Sequence, residues 1–331
     1  MRYLLFALFM FYAQCLNAQG WQWQNPLPFG DPIKEVFFVD SLNGWMTPQN
    51  KTLLKTTDGG RNWNIIHTNI IFEDIYFINK LEGWGIGREY FEKEKYSIFH
   101  TKDGGLSWEM QVADTTTVRY DIYFSDKNHG WAVGGSHSFK TVLYTKDGGK
   151  HWFRCSTDYF YRDDYVRGVV FTDSLNGWLL GGYFWALHTT DGGSTWQKDS
   201  SMAAIRKLVY SDSLHYWGLI GSKEVAFSFN GAKTWNYVTY TDTSAEIWAN
   251  DIFVLDNSHL YIATNFGIYF SSDSGFTWSH ISNQNMNSIW MLNENDGWGS
   301  GIDGLYSGFF CTNDGGSTWI KIGRASCRER V

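Results

Sequence analysis

An octapeptide that returns seven times constrains this chain more than any other feature. It reads TTDGGRNW, TKDGGLSW, TKDGGKHW, TTDGGSTW, SFNGAKTW, SSDSGFTW and TNDGGSTW, ending on Trp63, Trp108, Trp152, Trp196, Trp235, Trp278 and Trp319. The tryptophans stand 39 to 45 residues apart. A fixed period in this range marks a repeat architecture in which each unit buries its apolar surface against its neighbours.

The octapeptide has the chemistry of a hairpin corner. Its Asp side chain can accept hydrogen bonds from backbone N–H groups just ahead, and the Gly residues can take positive φ without steric penalty. The Ser or Thr before it and the Trp after it then lie on the two flanking strands, and so large an apolar ring suits a place between neighbouring sheets. The six tryptophans at 63, 108, 152, 196, 278 and 319 are therefore expected to be equivalently buried. Asp58, Asp103, Asp147, Asp191, Asp273 and Asp314, with Asn230 in the fifth unit, are read as structural. One carboxylate per turn has neither a second metal ligand nor a partner acid.

Each unit carries a second mark upstream: an apolar strand, an Asp or Asn turn, and Gly-Trp. VFFVDSLNGW ends on Trp45, and its counterparts end on Trp84, Trp131, Trp178, Trp217, Tyr261 and Trp298, with Tyr216 replacing the Gly in the fifth unit. Four short strands in a unit of this length match a propeller blade. In the first unit Val36, Phe37 and Phe38 run together on the inner strand, and a strand apolar on both faces is sandwiched between neighbours. The fold class is all-β: a β-propeller of seven four-stranded blades. A truncated eight-bladed ring is the alternative, because Trp21-Gln22-Trp23-Gln24 resembles an outer strand while the seventh unit already supplies Trp319-Ile320-Lys321-Ile322.

Together the two marks resemble the BNR or Asp-box repeat, and most closely the seven-bladed photosystem II assembly and stability factor family, over about residues 19 to 321. The resemblance implies a noncatalytic propeller that binds protein and helps a larger complex assemble, through a positively charged face in the photosynthetic relatives. The formal net charge of −7 departs from that last feature. Such a balance repels phosphate backbones, so nucleic acid is not an expected partner.

The two ends are set apart from the repeats. Arg2, the apolar run Leu4 to Tyr12 and the small Ala18 have the form of a leader cleaved after Ala18. That places the rest of the chain outside the cytoplasm: secreted, periplasmic or at the cell surface. Residues 322–331, IGRASCRERV, back-translate to a string like a sequencing adapter and are expected to be non-native. Setting both ends aside makes the charge more negative still. It also leaves Cys155 and Cys311 on well-separated units, where no disulfide between them is expected.

Catalytic signatures are absent: no His-Glu-x-x-His, no Cys-x-x-Cys, no glycine-rich phosphate loop and no Gly-x-Ser-x-Gly. No cofactor and no metal site are expected. Attention passes to the mouth of the central channel, where each inner strand begins. Eleven positions before the Gly-Trp aromatic stand Lys34, Glu73, Tyr120, Arg167, Arg206, Asn250 and Asn287. All are polar and, by spacing, in phase with the apolar positions two and four later. Irregular loops on the same face add Tyr161, Phe184 and Trp185, so the candidate contact set is Arg167, Arg206, Lys34, Glu73, Tyr120, Tyr161, Phe184 and Trp185. Trp185 and Trp248 both fall outside the repeat slots. Aromatics beside Arg favour a protein partner over a surface glycan. The competing reading is an Asp-box glycosidase, sialidase- or glucanase-like. Prolines only at 26, 28, 32 and 48 exclude the sialidase Arg-Ile-Pro, and Arg119, Arg167 and Arg206 are a partial echo of its arginine triad, with Arg119 out of register.

Overall fold

A computed structural model describes residues 33–89, 96–114, 119–136, 139–155, 166–181, 185–202, 205–241, 247–303 and 306–322. They form seven four-stranded antiparallel sheets, each in sequence order. The inner strands are Ile33–Phe38, Ile70–Phe77, Arg119–Phe124, Val166–Phe171, Ile205–Tyr210, Ala249–Val254 and Met286–Met291. Each touches the next, and the first touches the last, so the ring closes at seven. The fourth strand of blade 7 is the chain's own Ile320–Lys321, paired on Tyr306–Thr312. Eight blades are thereby excluded, and Trp21 to Gln24 lie outside the described residues.

The corner chemistry is repeated as read. In blade 1, Thr56 Oγ1 donates to Asp58 Oδ1 at 2.9 Å and accepts from Gly60 N–H at 2.8 Å, while Asp58 Oδ1 accepts from Asn62 N–H at 2.9 Å. Burial opposes ionisation of Asp58, but these hydrogen bonds outweigh it and hold the carboxyl below its usual range. The two glycines take φ of 71° and 79°, whereas Ala232 at 61° and Ser274 at 63° hold the same conformation with a Cβ attached. Asn230 does in blade 5 what Asp does elsewhere, accepting from Ser228 Oγ and Thr234 N–H.

The main rivet between blades is the Gly-Trp tryptophan. Trp45, Trp84 and Trp131 stack on Phe77, Phe124 and Phe171 of the following inner strand, with centroids 3.7, 3.6 and 3.4 Å apart. Each also donates its indole N–H to a carbonyl of the next blade's Asp-box, Gly104, Gly148 or Gly192. The preceding glycine leaves room for the phenyl ring of its own blade: a Cβ on Gly83 would lie 2.4 Å from Phe77. The Asp-box tryptophans are less uniform than the repeat suggests. Trp63 and Trp196 are buried, but Trp108, Trp152, Trp278 and Trp319 are half-buried. Each opens the outermost strand of its blade, where one side meets solvent. Cys155 is a buried free thiol, unpaired with Cys311.

Candidate functional site: the central channel and its mouth

Every inner strand shifts register against its neighbour at the residues singled out by sequence. Pairing skips from Ile33 to Glu35, Phe72 to Asp74, Val166 to Gly168, Ile205 to Lys207, Ala249 to Asp251 and Met286 to Ser288. In blade 3 it skips from Arg119 to Asp121. The bulged residues are Lys34, Glu73, Tyr120, Arg167, Arg206, Asn250 and Asn287. A bulge leaves one residue unpaired and re-aims the strand, so these positions are not in phase with the buried pair, as simple alternation implied. Alternation restarts after them, and the next residue of each blade turns inward: Glu35, Asp74, Asp121, Gly168, Lys207, Asp251 and Ser288.

Two chambers result. The one at the mouth measures about 600 Å³ and is lined by Lys34, Glu73, Arg206, Lys207, Asn250 and Asn287, among others. Its charges are mostly matched. Lys34 ion-pairs with Glu73, Arg206 donates to the Ala249 carbonyl, Lys207 meets Asp251 at 2.5 Å, and Asn250 donates to the Met286 carbonyl at 2.8 Å. Burial works against the Lys207 charge, but Asp251 outweighs it and raises the ammonium above its ordinary range.

The second chamber, about 820 Å³, opens toward the Asp-box face. Its wall is an aromatic girdle in which Trp290–Phe37, Phe37–Tyr76 and Tyr76–Tyr123 centroids lie 5.5, 5.5 and 5.0 Å apart. Tyr123 and Tyr210 close it with a hydroxyl–hydroxyl bond of 2.7 Å. Burial, then the neighbouring Tyr210, pushes the Tyr76 phenol up to about 12. Tyr210 lines the channel and pairs with Tyr216, which is buried in the slot that glycine holds in blades 1 to 4 and 7. Glu35, Asp74 and Asp121 line both chambers and form the waist. Sequence reading passed over these acids because it looked one residue too early, at the bulge itself. Among the described residues no three His, Cys, Asp or Glu side chains are placed to hold a metal ion.

The predicted contact set separates. Lys34, Glu73 and Arg206 gather at the mouth, whereas for Tyr120 and Arg167 only the backbone placement is described, and Tyr161 and Phe184 fall outside the described residues. Trp185 is corrected. It is 9% exposed, packed in a core cluster with Trp131, Phe171 and Trp196 and covering Gly181, so it offers no contact to a partner. The other off-register tryptophan is the exposed one: Trp248 is 57% accessible, and Phe266 in the adjacent hairpin turn is 51% accessible. Trp248 is tied to that turn, its N–H donating to Asn265 Oδ1 at 2.6 Å and Asn265 N–H donating to the Trp248 carbonyl at 3.1 Å. The neighbouring residue, Ala249, holds Arg206.

A family model described as "Photosynthesis system II assembly factor YCF48" matches residues 13–115 and 106–202 of this chain. The photosystem II assembly lipoprotein Ycf48 of Synechococcus sp. (strain CC9902) is 24% identical over 129 residues, a match spanning 38% of this chain and 37% of the relative. A structure titled "YCF48 bound to D1 peptide" superposes with a TM-score of 0.66 at 19% identity, covering 88% of this chain and 95% of the other. The GH74 enzyme of Niastella koreensis superposes at 0.65 with 12% identity, over 92% of this chain and 68% of the enzyme. At these identities both superpositions speak to the fold alone.

Proposed function

The chain belongs to the photosynthesis system II assembly factor YCF48 family, and from that membership we propose that it is a noncatalytic propeller, exported by its leader, that binds a segment of a partner protein at the channel mouth. The observation that carries this reading is the Trp248–Phe266 pair beside Arg206. Two large rings stay exposed while reciprocal hydrogen bonds join Trp248 to Asn265, the residue before Phe266, and Phe266 N–H donates to Thr264 Oγ1. Rigid aromatics next to Arg lose little conformational entropy on contact and are the residues on which binding energy concentrates. The family relative solved with a D1 peptide supports a polypeptide as the ligand class.

The glycosidase reading draws on the GH74 fold likeness. Affinity capture from the native envelope tests the proposal, with wild type compared with Arg206→Ala/Trp248→Ala and with a control on the opposite face, Leu42→Ala/Leu175→Ala. A protein held by wild type and by the control but weakened at least about tenfold by the first variant is expected, as for hot-spot residues. A partner lost only with the control, or turnover of β-glucans or sialosides by the purified chain, overturns it.

A further inference from the structure

Two of the waist acids tie neighbouring blades together. Asp74 Oδ2 accepts from Ile122 N–H of blade 3 at 2.7 Å, and Asp121 Oδ2 accepts from Val169 N–H of blade 4 at 2.8 Å. Asp74 Oδ1 meanwhile takes the N–H of Ile75 at 2.8 Å. The three carboxyl groups also converge on the waist, where all of them line both chambers. Ionising neighbouring carboxyl groups sets like charges against one another out of water, so a buried cluster of this kind favours keeping protons.

The surroundings supply little compensating positive charge. Lys207 of blade 5 acts on Glu35 and Asp121 but is bonded to Asp251 of blade 6. Lys34 of blade 1 is paired with Glu73 of blade 2, while Arg206 of blade 5 keeps its charge at the mouth and donates to the neutral Ala249 carbonyl. Blades 2, 3 and 5 add the phenols Tyr76, Tyr123 and Tyr210, blade 4 presents Gly168 after Arg167 at its bulge, and blade 7 presents Ser288.

We propose that Glu35, Asp74 and Asp121 form a proton-dependent latch that clamps blades 1 to 4 around the channel and releases as pH rises. Burial first, and then Glu35 beside Asp74 and Asp74 beside Asp121, raises the pKa of Asp74 and of Asp121 well above the carboxylate range; burial raises Glu35 as well. For acids whose folded pKa exceeds the unfolded value, the folded state holds more protons. Their stabilisation is therefore full below the unfolded pKa and is lost as pH climbs through the folded one. The Asp-box acids shift the opposite way, so they titrate on the acid side and leave this window clear.

Equilibrium unfolding of the full chain between about pH 5 and about pH 9, beside Asp74→Asn/Asp121→Asn, is the test. Asn keeps an oxygen for the Ile122 and Val169 N–H groups but cannot titrate, and taking the difference between the two proteins cancels the histidines. The wild-type unfolding constant should grow up to about tenfold per pH unit for each retained proton, and the variant's should be flatter. Wild type should also show the infrared carbonyl band of a neutral carboxyl group near neutral pH. Equal slopes, or no such band, overturn the latch. Should the double variant not fold, Glu35→Gln and the wild-type infrared band decide in the same sense.

Discussion

Trp131 and Trp178 hold the same slot in adjacent blades yet are satisfied differently, which makes a matched pair of substitutions informative. Trp131 is 1% exposed, stacks on Phe171 and donates to the Gly192 carbonyl at 3.1 Å. Trp178 is 3% exposed and meets Tyr216 edge-on at 5.3 Å, but its indole N–H has no acceptor. Changing each to Phe removes the same atoms, so the transfer and cavity costs largely cancel between the two sites. At Trp131 the change forfeits a hydrogen bond worth about 1 kcal/mol. At Trp178 it relieves a buried donor that costs roughly 1 kcal/mol or more while unpaired. Trp131→Phe should therefore be the more damaging by about 2 kcal/mol, read as a difference of a few degrees in Tm by calorimetry. Equal losses, or a larger loss at Trp178, would refute the claim that the indole N–H bond to the next Asp-box fastens the blades.

Two further outcomes follow from local geometry. Ala232→Gly should stabilise the protein by about 1 kcal/mol, because a Cβ at φ 61° is strained; an unchanged or lowered melting temperature would count against it. Burial pushes the Cys155 thiol up to about 11, so alkylation at neutral pH should wait for unfolding. Labelling of Cys155 in the native protein at the rate of a free thiol would contradict its burial.

The architecture was legible because both repeat marks report backbone requirements. Asp-Gly-Gly fixes a corner and Gly-Trp fixes a junction, and each recurs wherever the ring needs it. Seven blades were legible from the seven repeats, but which outer strand completes the last blade was not, since an outer strand of two or three residues looks alike at either end of the chain. The candidate site was half legible. Lys34, Glu73 and Arg206 do meet at the mouth, but alternation cannot announce a bulge, so the acids one residue later went unnoticed. Trp185 and Trp248 look equally irregular in sequence; only the neighbouring Gly181, with no Cβ to exclude the ring, decides that the first turns inward.

The bulge has a consequence for how such a ring diversifies. In each blade it frees one residue from the ladder pairing that ties its neighbours to the sheet. The seven spokes, Lys, Glu, Tyr, Arg, Arg, Asn and Asn, can thus be rewritten with no correlated change in the walls between them, Lys34 and Glu73 changing as a pair. A chain that shares 19% identity with the peptide-bound relative can keep the same wheel and carry an unrelated combination at its hub.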